Sequence, residues 1–347
     1  MAILRSLFTL AALTFGLAAC TTVDLDTRSM QPLPAKLVSR MSEKGMRPSD
    51  PIMIRIYKQE SELEVWKRDR RGRYALLKTY PICRWSGKLG PKKREGDRQA
   101  PEGFYSVTPA LMNPQSQYYL AFNLGFPNRL EQALGYEGTA LMVHGVCSSS
   151  GCYALTNDGV AEIYAMAREA FVGGQAEFQV QSLPFRMTPQ NLAHHKNDLN
   201  MAFWLDLKQG TDQFDVTRQP PRVAACGRRY VFGATATDPD AVFDPLAPCP
   251  DYKLDPSFAS MVAAKQARDQ ARLADISASE VDEPLAYADG GMNRAFRAIL
   301  ESAGSKKLAK LTSDGFPVSS PRAALEDPYQ AGLVDHLEAR GRVAVPQ

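Results

Sequence analysis

The sequence predicts a mixed α+β fold: a mainly β domain with helices, followed by a partly helical or disordered extension. Three observations carry this. From Pro51, PIMIRIYKQESELEVWKRDRRGRYALLKTYPI alternates apolar and polar residues through Ile52, Ile54 and Ile56 and again at Leu63 and Val65. A period of two is that of half-buried strands. GVAEIYAMAREAF instead sets Val160, Ile163, Tyr164, Ala167 and Phe171 on one helical face. Beyond about Pro250 the chain turns Ala- and charge-rich with a thin apolar stripe, which leaves little to bury.

The elements follow in order. MAILRSLFTLAALTFGLAAC opens with Arg5 and an apolar run from Leu7 to Leu17, too short to span a bilayer comfortably and ending in small residues. It reads as a secretory signal over residues 1–19. Leu17-Ala18-Ala19-Cys20 resembles the bacterial lipobox, so Cys20 is expected to be lipidated; otherwise cleavage falls near Ala19 and Cys20 is incidental. Thr21 rather than Asp follows, which leans towards the periplasmic face of the outer membrane. Residues 20–50 are polar, Pro-containing and without period, and read as a tether to that lipid anchor.

A meander of short antiparallel strands follows, with a turn at Arg71-Gly72. Cys83 to about Thr108 reads as irregular, and TALMVHG (Thr139 to Gly145) as a buried strand. Thr156-Asn157-Asp158 supplies capping side chains for the helix, and Gly173-Gly174 stops it. EFQVQSL is another strand, with shorter helices near Pro189–His195 and Asn200–Lys208. Residues 51–220 thus form one domain and 221–347 an extension.

A net charge of +3 in 347 residues gives no case for nucleic acid, and GPKKREGDR (Gly90 to Arg98) reads as a solvated loop. An exported chain meets oxidising conditions, so its cysteines can be paired: Cys20, Cys83, Cys147, Cys152, Cys226 and Cys249. Without Cys20 the number is odd, so at least one thiol stays free. Cys226 and Cys249 flank a short loop-rich stretch and make a natural pair. Cys83–Cys147 would leave Cys152 free, while Cys147–Cys152 is the competing bridge.

MVHGVCSSSGCYAL, residues 142–155, admits three chemistries. As a metal site, His144, Cys147 and Cys152 have an uncommon spacing and lack a fourth ligand. As a disulfide, Cys147 and Cys152 could bridge. As a nucleophile, Cys152 needs a base within reach, and small residues let the chain fold back to His144. A helix N-terminus nearby would favour thiolate. N–H groups around Ser150, Gly151 and Cys152 could meet an oxyanion.

His144-Gly145 followed by Ser149-Ser150-Gly151-Cys152 resembles the signature of the L,D-transpeptidase (YkuD) family. LGPKKREGDRQAPEGFYSV, YYLAFNLGFPN, GGQAEFQV, PFRMT and AFWLDLKQG are similar to its YafK-type murein branch, and the likeness covers roughly residues 50–220. It implies a β-sandwich catalytic domain in which Cys152 attacks a peptidoglycan stem-peptide carbonyl and forms a thioester. His144 would be the base, oriented by a backbone carbonyl, with Ser149 and Gly151 shaping the loop and oxyanion site. No metal or organic cofactor is implied. Many members have His where Ser150 stands, and a branched residue and Arg where Tyr153-Ala154 stand. The YafK-type branch shares Tyr-Ala and includes enzymes that cut proteins off peptidoglycan. Hydrolysis of a link to a peptidoglycan-attached outer-membrane protein is therefore an alternative to transfer, and an inactive wall-binding scaffold is a third reading.

Arg186 either binds a stem-peptide carboxylate or sits in a structural ion pair, with Glu102 and Tyr153 as further candidate substrate contacts. Glu102, Asn123 and Asn128 either line the cleft or hold turns. His194-His195 reads as a solvated helix end, and His336 has no evident partner.

Overall fold

A computed structural model describes residues 27–276, 287 and 289–319. The leader, the lipidation candidate Cys20 and His336 lie outside the described residues. Two five-stranded sheets form the body. The first contains β1 (Ile52–Tyr57), β2 (Glu62–Arg68), β3 (Tyr74–Pro81), β5 (Gly103–Val107) and β10 (Phe178–Leu183), in the order β3-β2-β1-β10-β5. The second contains β4 (Arg84–Trp85), β6 (Met112–Asn113), β7 (Ala121–Asn123), β8 (Met142–His144) and β9 (Tyr153–Ala154), in the order β4-β9-β8-β7-β6. The predicted meander is β1 to β3, paired antiparallel as alternation requires. The supposedly irregular segment contains β4 and β5, the latter closing the first sheet against β10.

The core lies between the sheets, where Phe122 of β7 meets Phe178 of β10 edge-on at 5.6 Å. Buried Ile54, Ile56, Val143 and Tyr153 join the same cluster. α3 (Asn157–Val172) adds Val160, Ile163 and Met166 to it, and the Thr156 side chain accepts from the Gly159 N–H as the sequence predicts for its cap. A short helix, α2 (Arg129–Ala133), is held by a capping box between Asn128 and Glu131, so Asn128 holds a turn. Asn123 accepts the Gly125 N–H and also serves a turn.

β1 is buried on both faces because α5 (Met201–Thr217) covers its outer side. There Arg55 binds Asp215 at 2.8 Å and Gln181 at 2.8 Å. α4 (Pro189–His194) precedes it. His195 is buried, stacked on Phe185 and bonded to Gln59 at 2.7 Å, rather than solvated.

The tether reading needs correction. Residues 35–43 form α1 (Ala35–Glu43), whose Leu37 and Met41 sit one turn apart and enter the core with Met46. The extension is built onto the domain. β11 (Val223–Cys226) and β12 (Arg229–Phe232) form a hairpin over Phe104, and β13 (Ala234–Ala236) pairs with β14 (Tyr252–Leu254). α6 (Pro256–Asp275) packs on α5, where Lys265 binds Asp212 at 2.9 Å. Gly291 bridges to Trp85 of β4, and α7 (Arg294–Thr312) follows, kinked at Gly304.

Candidate active site

β8 and β9 are adjacent and parallel, with Val143 opposite Tyr153 and His144 opposite Ala154. Parallel neighbours ordinarily need a crossover of a dozen or more residues; here residues 145–152 suffice. Carried back one pair, the register sets Cys152 beside Met142, whose N–H reaches the Cys152 Sγ at 3.4 Å. Side chains alternate along a strand, so Met142 and His144 share a face, and Cys152 joins His144 there as a diagonal neighbour. Both line one cleft of about 440 Å³, with Asn113, Tyr118, Ala140 and Ser150 on its walls.

So tight a link demands unusual backbone. Gly151 has φ +123° and Val146 φ +61°, and the latter is strained for a β-branched residue. Asn157 accepts the Val146 N–H at 3.0 Å. Cys147 is bonded to Cys83, and Cys226 to Cys249. Cys147 is thereby lost to both the metal alternative and the bridge to Cys152. Among the described residues Cys152 is the free thiol, half-buried.

His144 Nδ1 lies 2.5 Å from the Gly145 carbonyl oxygen. A carbonyl only accepts, so Nδ1 carries the proton and Nε2 keeps its lone pair. The Tyr118 ring lies over the imidazole at 4.8 Å. Burial pushes the His144 pKa down to about 4, against a smaller upward pull from Gly145, so the ring is neutral at pH 7. Burial also pushes the Cys152 thiol up, opposed by the Met142 N–H and the Lys92 ammonium. The resting pair is a thiol and a neutral imidazole. Thiolate stabilisation by a helix does not apply: Cys152 leads into β9, and α3 starts only after its Thr156 cap, four positions beyond Cys152.

The expected oxyanion donors are also differently used. The Gly151 N–H donates to Ser86 Oγ. The Cys152 N–H donates to Ser149 Oγ at 3.0 Å, and that hydroxyl donates to the Cys152 carbonyl at 2.7 Å. Ser149 and Gly151 therefore shape the loop, and Ser150 stands on the cleft wall.

The three expected substrate contacts lie elsewhere. Tyr153 is fully buried, its hydroxyl 2.7 Å from the Pro101 oxygen and 2.8 Å from Ser182 Oγ, because β9 turns it into the core. Glu102 is fully buried against Lys58 Nζ, Trp204 Nε1 and the Gly90 N–H, each within 2.8 Å. Arg186 pairs with Glu62 and Glu64 over the Tyr57 ring, on the wall of a separate cleft of about 600 Å³ behind the first sheet.

Sequence reasoning missed Ser86, Lys92 and Asn157. Lys92 sits in the basic run read as solvated, yet it is buried and paired with Asp97 at 2.5 Å. A lone serine or asparagine gives no signal of its own. Tyr118 is an exposed rim aromatic, as an aromatic pair beside a strand allows.

Residues 51–180 match the L,D-transpeptidase catalytic domain (YkuD). The chain is 48% identical over 181 residues to proteins named "Putative L,D-transpeptidase YafK" from Escherichia coli strains K12 and O157:H7, covering 52% of this chain and 73% of each relative. Among solved structures, the helical cell shape determining protein Pgp2 of Campylobacter jejuni, as its K307A mutant, is 22% identical with a TM-score of 0.32. That match covers 46% of this chain and 56% of the Campylobacter protein, little more than half its length. Bdellovibrio bacteriovorus Bd1075 is 14% identical with a TM-score of 0.29, over 50% of this chain and 76% of that one. On the extent of its identity to the Escherichia coli relatives, the chain belongs to the L,D-transpeptidase catalytic domain (YkuD) family.

Proposed function

We propose that the chain is a cell-wall enzyme that uses Cys152 as nucleophile and His144 as base on peptidoglycan stem peptides. The supporting observation is one cleft face shared by a free thiol and an imidazole whose Nδ1 is held by Gly145. Cys152 Sγ passes its proton to His144 Nε2 as it attacks the donor carbonyl. The tetrahedral centre collapses to a thioester, and the leaving amine takes the proton from the imidazolium. An acceptor amine, or water, then attacks the thioester, giving its proton to His144, which returns it to sulfur. Starting from neutral groups, proton transfer accompanies attack rather than preceding it.

Transfer to an amine is the first reading. Hydrolysis of a link to an attached outer-membrane protein is the second, favoured by one observation: Tyr153 and Ala154 are both buried in β9, so the residues after the nucleophile bring no charge to the cleft. The scaffold reading has less support, since both cysteine bridges leave Cys152 reduced. We further propose export and anchoring through Cys20 at the periplasmic face of the outer membrane, which suits two disulfides. Loss of radiolabelled lipid in Cys20→Ala would support the anchor; equal labelling would refute it.

Wild type and Cys152→Ala incubated with purified sacculi, with products identified by mass, test the enzyme. New cross-links mean transfer, and released peptides or proteins mean hydrolysis. Identical products from both proteins would overturn the mechanism.

A further inference from the structure

The loop between His144 and Cys152 is not held by the catalytic domain alone. Three of its contacts, and a fourth made by Asn157 behind it, reach residues more than 155 positions downstream. Cys147 N–H donates to Ser313 Oγ at 2.9 Å, and Ser319 N–H donates to the Cys147 carbonyl at 3.0 Å. Ser149 N–H donates to Ser319 Oγ at 3.2 Å. Asn157, which holds the strained Val146 N–H, donates from Nδ2 to Asp314 at 2.6 Å.

These contacts are anchored from behind. Leu308 of α7, Phe296 and Met292 pack with Cys83 and Cys147 around the disulfide. Ahead of α7, Asn293 N–H donates to the Ile82 carbonyl at 2.9 Å. The segment thus grips the domain on both sides of the bridge. A left-handed valine persists only where its surroundings over-determine it, and an ordered loop must offset the conformational entropy it gives up. The segment supplies backbone partners that the short loop cannot make for itself.

We propose that residues 313–319 form an external clasp, with Ser313 and Ser319 as positioning residues that set Cys152 against His144. This rests on the reading of Cys152 as nucleophile. Through it, the extension beyond the family domain completes the site without touching substrate.

The test compares wild type with the double variant Ser313→Ala/Ser319→Ala, well below either melting temperature. Two rates are read: turnover of sacculi, and alkylation of Cys152 by iodoacetamide. A loosened loop exposes the thiol, so alkylation should rise at least ~3-fold while kcat falls ~10-fold or more and KM stays within about 2-fold, since misplacement by about an ångström costs catalysis heavily. Unfolding would also raise alkylation as kcat falls, so the rates are compared only where circular dichroism shows both proteins fully folded, and a rise that tracks the unfolded fraction would overturn the clasp. Ser313→Thr/Ser319→Thr, which keeps both hydroxyls, should restore both. Wild-type alkylation and kcat in the folded double variant would overturn the clasp. If wild type itself leaves sacculi unchanged, the functional reading fails while the alkylation rates still decide the clasp. Should the double variant not fold, Asp314→Ala removes one contact only; unchanged alkylation there would overturn the proposal, and a rise would support it.

Discussion

His144 donates its Nδ1 proton to the carbonyl of Gly145, the next residue in its own chain. The orienting partner is backbone, so no side-chain substitution can remove it. Catalysis should therefore depend on His144 and Cys152 themselves. His144→Gln, which keeps a donor but cannot take the proton, should lower kcat by about 10³-fold or more, and Cys152→Ala should abolish thioester formation. Mass spectrometry of the acyl-enzyme checks both; a thioester in Cys152→Ala would refute the assignment.

Acid should weaken this fold through its buried imidazoles. His144 and His195 are each held down to about 4 by burial, against about 6.5 in an unfolded chain. Between those values the unfolded state binds more protons, so stability is present above pH 6.5 and lost as pH falls towards 4. For His144 the loss is on the order of 3 kcal/mol. Thermal melts of wild type and His144→Gln from pH 7 to 4 should show the wild-type curve falling faster. Parallel curves would argue against a neutral, buried His144.

Glu102 offers a separation of structure from substrate binding. Its partner Lys58 is completely buried, so Glu102→Ala leaves an uncompensated ammonium in the core, a change that typically costs about 3–5 kcal/mol. A large fall in melting temperature is expected, with KM of the folded fraction unchanged. A raised KM at unaltered stability would return Glu102 to the substrate.

The bridge between Cys83 and Cys147 closes a span of 64 positions and fastens the loop ahead of Cys152 to the start of β4. Cys83→Ser/Cys147→Ser should cost about 2–5 kcal/mol. It should also reduce turnover at temperatures where the variant is still folded. Full activity in a merely less stable variant would show that the loop keeps its shape without the bridge.

What the sequence disclosed depended on how local the determinants were. Alternation in β1 and β2, and the Thr156 cap with its helical face, are short-range signals, and both elements form where they point. α1 was legible in principle, since Leu37 and Met41 are four apart, but polar neighbours and Pro34 obscured so short a stripe. Glu102 was misread because Lys58 and Trp204 lie 44 and 102 positions away. Lys92 looked solvated because nothing in GPKKREGDR shows that Asp97 folds back onto it. Ser313 and Ser319 are the extreme case: two serines reach the motif across 166 and 170 positions. Chemistry concentrated in a motif is visible in one dimension; the partners that hold its backbone are not.

The short parallel link between β8 and β9 makes the interval from His144 to Cys152 a ruler. Buried Val143 and Tyr153 hold the two strands in register, so a residue added or removed between them must be absorbed by the loop, at the expense of the Gly151–Ser86 and Cys152–Ser149 bonds that shape it. The letters between the two can drift while hydroxyls and a glycine remain where needed, but their number cannot. Insertion of one glycine after Ser148 should leave His144 and Cys152 present and the fold intact, with turnover of sacculi lost. Length, as much as composition, is what this stretch has to preserve.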